Sequence, residues 1–234
     1  MNPLDTTLNR STPIAAPRTG TAAAHPPEVQ RVLRNTYGLL GLTLLFSAAV
    51  AGGTAALGLP HPGLLLTLAG TFGLLFATAR LANSGWGLLA VFALTGFMGY
   101  TLGPVIGRVL SFPGGAQVVT MALAATAVTF FALSAYVLTT RRDFSFMGGF
   151  LFAGMVIALL AALGAVFFAV PALALAVSAM VVLLSMGLIL FETSRIVNGG
   201  ETNYVMATVG LYVSIFNLFT SLLALFGVGG GGDE

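Results

Sequence analysis

Beyond residue 36 the chain is written in long apolar blocks separated by short polar punctuation, rather than as apolar and polar residues in alternation. Seven blocks can be delimited, at 37–59, 64–79, 86–107, 116–138, 146–168, 171–191 and 204–228. The breaks are turn formers and charges, among them 60-PHPG-63, 80-RLANSG-85, 108-RVLSFPGG-115 and 139-TTRRDF-144. Each block is near the roughly 20 residues needed to cross about 30 Å of hydrocarbon. In lipid a segment has to satisfy its own backbone hydrogen bonds, and a helix does so. The pattern therefore predicts an all-α polytopic membrane protein with seven transmembrane helices and the lipid bilayer as its first partner.

Composition supports this reading. The chain is 57% hydrophobic and only 7% charged, too little charge to cover the surface of a soluble domain of 234 residues. There is no cysteine, which excludes disulfide frameworks, thiolate metal sites and cysteine catalysis. Lysine is absent too, so all nine basic residues are arginines, and no basic cluster suggests nucleic acid. The only imidazoles are His25, in the leading segment, and His61, in a turn. No two metal ligands stand four residues apart within a block, and no Ser–His arrangement occurs. Neither a metal, a cofactor nor catalysis is expected.

The first 34 residues differ. They carry five prolines, many Thr and Ala, and few large apolar groups, a composition that cannot offset its own ordering entropy. They also lack the apolar stretch of a signal peptide. The expectation is a retained, disordered tail over 1–34, a bundle over 35–228 and a flexible end over 229–234. The last part of the tail, 27-PEVQRVLRN-35, can start a short helix leading into the membrane.

Seven spans also set an orientation. With a cytoplasmic N-terminus, Arg10, Arg18, Arg31, Arg34, Arg80, Arg141, Arg142 and Arg195 lie inside and only Arg108 outside. That asymmetry predicts a cytoplasmic N-terminus and a periplasmic C-terminus.

Three groups of residues carry candidate roles. Gly99, Gly103 and Gly107 recur at intervals of four in the third block. They share one helix face, where another backbone can approach closely, and Pro104 invites a kink there. Arg141, Arg142 and Asp143 read as an anchor at the cytoplasmic headgroups. Glu192 closes the sixth block, where the helix dipole disfavours a negative charge. An ionisable residue at membrane depth marks a functional site with a partner to be named. Arg195, three residues on, can share its face, and Arg80, at the end of the second block, is placed to reach a carboxylate on another helix.

The stretches 188-LILFETSRIV-197, 203-NYVMATVGLYVSIFNLF-219, 100-YTLGPVIG-107 and 133-LSAYVLTTRRDFSFMGG-149 together resemble the Bax inhibitor family of seven-helix membrane proteins. The resemblance runs from about residue 30 to 227, with the motifs in the family's order. The connector NGGETNY and the helix LYVSIFNLF are most similar to the bacterial YccA-like branch. That resemblance implies an inner-membrane protein that is not an enzyme. It also implies a partner, the membrane AAA protease FtsH, engaged through the cytoplasmic N-terminal tail.

Another branch of the family implies a different function, a pH-sensitive calcium leak. In that branch two aspartates on the last two helices and an arginine on the second helix open or close the pore. Matched position by position, the first aspartate falls on Glu192 in 191-FET-193, the second on Ser214 in 212-YVS-214, and the arginine on Arg80. A serine does not ionise, so a coupled carboxylate pair is not available at those two positions. Calcium also prefers more than one carboxylate. The departure at Ser214 favours the protease-modulator reading, with Glu192 paired to Arg80 or Arg195.

Overall fold

The computed structural model describes residues 27–229, and the expectations for 1–26 and 230–234 lie outside them. Seven α-helices follow one another: α1 (Pro27–Ala56), α2 (Leu64–Leu81), α3 (Gly87–Leu110), α4 (Gly115–Thr140), α5 (Gly148–Phe167), α6 (Pro171–Val197) and α7 (Tyr204–Gly229). A single 3-10 turn, Ser145–Met147, precedes α5. All seven segments are long and apolar enough to cross a membrane.

Two boundaries differ from those expected. The helix expected to start within 27–35 is present, and it is no separate short helix: α1 runs unbroken from Pro27 into the first span, which therefore begins ahead of residue 35. Pro27 stands at the helix start, where its missing N–H leaves no bond unmade, and Val32 and Leu33 pack on the core. α6 continues six residues past 191, to Val197. The polar run ETSR marked the end of the apolar block but not of the helix.

α3 and α7 form the centre. Half of the membrane-length window of each is buried, against 6% for α2 and 17% for α5. α1 packs along α3, and α6 along α7; α2 leans mainly on α3, and α5 on α6. The main apolar core gathers Leu40, Val91, Leu94, Ile189, Leu211 and Leu218 from these central helices.

Close approach of α1 and α3 depends on glycine. A Cβ on Gly99 would stand 2.5 Å from the Ser47 carbonyl oxygen, and one on Gly103 would overlap the Thr54 hydroxyl. Gly107 is looser, with Ala55 at 3.8 Å. α3 passes Pro104 and continues to Leu110. Within this seam the Ser47 Oγ and Tyr212 OH are 2.6 Å apart, and the tyrosine donates to the Thr95 carbonyl at 3.3 Å. With its one proton so placed, Tyr212 accepts from Ser47, and α1, α3 and α7 are tied at a single buried point.

Candidate functional site

The polar groups of the bundle concentrate at the end where α6 passes into α7. α6 closes by folding back on itself: Gly199 adopts φ 75°, which glycine reaches without strain, and the amides of Gly200 and Glu201 both donate to the Arg195 carbonyl, at 2.7 and 3.0 Å. The turn returns Glu201 to the side chain of Arg195. Arg195 Nη2 meets Glu201 Oε2 at 3.1 Å, and Nη1 meets Glu192 Oε2 at 3.6 Å. The guanidinium also lies over the Phe191 ring, 5.5 Å from its centroid. One cation thus holds two carboxylates, with both glutamate side chains largely enclosed at 14% and 15% exposure.

From Glu201 the network crosses to two further elements. Its Oε1 accepts from the Asn203 amide at 2.9 Å. Asn203 caps α7, its Oδ1 accepting from the Val205 and Met206 amides, the placement expected of an N-cap side chain. Its Nδ2 donates to the Ala82 carbonyl at 3.2 Å and to Asn83 Oδ1 at 2.7 Å. An unbroken polar chain therefore links α6, the α6–α7 connector, the start of α7 and the α2–α3 connector.

Glu192 is not at the mouth of its helix, as the apolar block suggested, but five residues inside α6. Its carboxyl group lies on the backbone of α7: a Cβ built on Gly210 would come 2.7 Å from Glu192 Cδ and 2.9 and 3.0 Å from the two oxygens. Ser214, one turn further along α7, is buried and donates to the Gly210 carbonyl at 2.9 Å. Its hydroxyl is satisfied within its own helix.

Of the two cations considered for Glu192, Arg195 is paired with it and Arg80 is not. Arg80 is exposed in the last turn of α2, over the ring of Phe76, and no carboxylate among the described residues pairs with it. α2 packs mainly along α3, and its exposed last turn holds Arg80 over Phe76 rather than on α6. The sequence reading missed Glu201 and Gly210. The signal for Glu201 was the NGG turn after Arg195; Gly210 carried none.

At the same end of the bundle the α4–α5 connector docks on α6. The Phe144 amide donates to Ser194 Oγ at 2.9 Å. Arg141 stands in the left-handed region at φ 53° and closes α4 by donating to the Val137 carbonyl. Asp143 bonds the Ser145 amide at 2.8 Å rather than either arginine. Hydrogen bonds from Ser145 hold its carboxyl below the ordinary value of 3.8. Among the described residues no cluster of three or more His, Asp or Glu is arranged to hold a metal ion.

Comparison with known proteins bears on what this end of the bundle serves. The sequence model of the family described as "Inhibitor of apoptosis-promoting Bax1" matches residues 29–231. The chain belongs to the Bax inhibitor family. Within it, the chain is 55% identical over 212 residues to an uncharacterized protein of Pseudomonas aeruginosa, covering 91% of this chain and 96% of that one. It is also 55% identical over 197 residues to the Escherichia coli K12 protein named modulator of FtsH protease YccA, covering 84% of this chain and 90% of the relative. A protein of Escherichia coli O6:H1, at the same identity and coverage, is named inner membrane protein YccA. Seven membrane-length helices and these relatives make this Bax inhibitor family member a multi-pass protein of the bacterial inner membrane.

Proposed function

We propose that the chain is a non-enzymatic modulator of the membrane protease FtsH, which binds the protease complex and offers it the N-terminal tail. The observation that carries this is the 55% identity to the Escherichia coli protein of that name, over nine-tenths of the relative's length. The bundle adds physical support. Its connectors are short and hydrogen-bonded to one another or to a helix, as at Asn203–Asn83 and Phe144–Ser194, so a pulling machine finds little loose chain to grip. Ahead of α1 stand 26 residues, a length that reaches about 90 Å when fully extended at roughly 3.3–3.6 Å per residue.

The calcium-leak reading has less behind it. α7 carries Gly210 opposite the Glu192 carboxyl and a self-bonded serine one turn on, and the second carboxylate of the site is bound to the same guanidinium. That arrangement suits a fixed tie between helices better than a pair sharing a proton.

The test is degradation of a reference membrane substrate by FtsH in proteoliposomes, with the full chain, with residues 1–26 removed, or with neither. Slower degradation with the full chain, relieved by the deletion, is the expected result. Unchanged degradation at every ratio of chain to protease overturns the proposal.

A further inference from the structure

Arg80 is the singled-out arginine that the network around Arg195 does not use. Its guanidinium carbon lies 5.2 Å from the centroid of the Phe76 ring, one turn back along α2. Both side chains are exposed, and Phe72, Phe76 and Arg80, spaced by four, form one stripe on that helix. α2 is the least enclosed of the seven spans, so the stripe faces lipid. A guanidinium there, with no protein carboxylate, is costly unless an anion of the bilayer meets it.

One turn beyond Arg80, the α2–α3 connector and the start of α7 bound a polar recess of about 350 Å³. The Asn203 carboxamide is fully engaged there, with Ala82, Asn83 and the first α7 amides. The Asn83 amide N–H groups and the hydroxyls of Thr202 and Tyr204 line the same recess and make no hydrogen bond among the described residues. Along α2 and into its connector, the order is therefore aromatic rings, guanidinium, then polar donors that no described residue engages.

We propose that this end of α2 binds a phospholipid with an anionic, hydroxylated headgroup. Its phosphodiester meets Arg80, its headgroup hydroxyls enter the recess at Asn83, Thr202 and Tyr204, and an acyl chain runs along Phe76 and Phe72. The dimensions agree: Phe72 to Arg80 spans about 12 Å of helix, within one leaflet of a hydrocarbon layer about 30 Å thick. A phosphate free in water would use neither ring. The site does not depend on the protease reading.

The test is lipid retention by the full chain, purified in detergent and titrated with phosphatidylglycerol, phosphatidylcholine or phosphatidic acid, and read by native mass spectrometry. Glycerol phosphate serves as the soluble competitor. Phosphatidylglycerol is expected to be retained over phosphatidylcholine, and Arg80→Ala to lower that retention about fivefold, the scale of one basic side chain at a bilayer surface. Arg34→Ala, a charge change at an exposed position near the start of α1 on the same end, should leave it nearly unchanged. Asn83→Ala should remove the preference for phosphatidylglycerol over phosphatidic acid, which lacks the glycerol hydroxyls. Arg80→Gln, which keeps most of the side chain's length, repeats the test should the alanine variant fold poorly. Equal losses in the Arg80 and Arg34 variants mean diffuse surface charge and overturn the proposal. Displacement by glycerol phosphate, or no preference for the anionic lipid, overturns it as well.

Discussion

The carboxyl group of Glu192 rests on the α7 backbone at Gly210, where any side chain would enter the space the carboxyl fills. The contact joins two features that look unrelated in the chain, an acidic residue inside one span and a glycine in the next. Gly210→Ala is expected to push the carboxyl off the α7 backbone at a cost of about 1 kcal/mol, the low end for overpacked sites, because the atoms met are the end of a flexible side chain. In a Glu192→Ala background the same change should cost far less, because the space is then vacant. Thermal unfolding of the four proteins in one detergent measures this. Equal losses in both backgrounds would show that the glycine serves something other than the glutamate.

Arg195 holds two carboxylates, so its removal does more than delete an ion pair. Arg195→Ala leaves Glu192 and Glu201 without their shared cation, an expected loss of about 1–2 kcal/mol given that the guanidinium is one-third exposed. Arg195→Lys should recover only part, since an ammonium lacks the planar fork that meets two acceptors at once. The size of a second change is the sharper test. Glu192→Gln weakens a pair in the parent, but in the Arg195→Ala background that pair is already gone and the unfolding temperature should move far less.

The seven helices were legible because apolar block length is a direct consequence of membrane thickness, and each block indeed forms one helix. What composition missed lay at the borders. Residues 27–34 are polar enough to read as a tail ending in a short helix, yet they are one helix with the first span, and Val32 and Leu33 reach the core. The run from Glu192 to Arg195 reads as a terminus, yet its charges are satisfied by one another while the backbone stays helical. Arg195 was placed by its spacing of three from Glu192, a local relation. Glu201 and Gly210 depend on a turn and on the facing of two helices, and no single block states either. Arg80 failed as a partner for Glu192 for the same reason: chain position said that α2 ends near the polar layer, but not which way its last turn faces.

Buried hydroxyls divide into those with partners and those without, and the two kinds should answer mutation differently. Tyr212→Phe removes the bonds to Ser47 and to the Thr95 carbonyl, and about 0.6–1.7 kcal/mol of stability is expected to go with them. Ser185 is fully buried and its hydroxyl has no partner among the described residues. Ser185→Ala should therefore be neutral or stabilising, because nothing is lost except an unmade bond. A destabilised Ser185→Ala protein in thermal unfolding would contradict that account.

Asp143 supplies a dependence on pH. Its carboxyl is held below the ordinary value of 3.8 by hydrogen bonds from Ser145, so the folded state favours the charged form. The stabilisation is present above that value and is lost as the pH falls through the lower value of the folded protein. Asp143→Asn should flatten this acid limb by lowering stability slightly at neutral pH, where the charged form contributes, and leaving it unaltered at acid pH, where the parent is already protonated. Unfolding midpoints collected from neutral to acidic pH for both proteins decide it, and parallel curves would remove Asp143 from the account.

The glycines of α3 share a spacing but not a function, and substitution should separate them. At Gly103 a methyl group would overlap the Thr54 hydroxyl and stand 2.7 Å from the Ala51 carbonyl, whose backbone position cannot yield without moving α1. At Gly107 the nearest atoms, those of Ala55, are at 3.8 Å, an ordinary contact distance. Gly103→Ala is expected to cost about 1–3 kcal/mol by forcing the two helices apart. Gly107→Ala should be tolerated or slightly stabilising, because alanine orders a helix interior better than glycine by about 0.5–1 kcal/mol. Thermal unfolding of the two single variants gives the comparison. Similar losses at both sites would mean that the stripe acts as a unit along its whole length, and that the widening of the α1–α3 seam toward Leu110 has no energetic consequence.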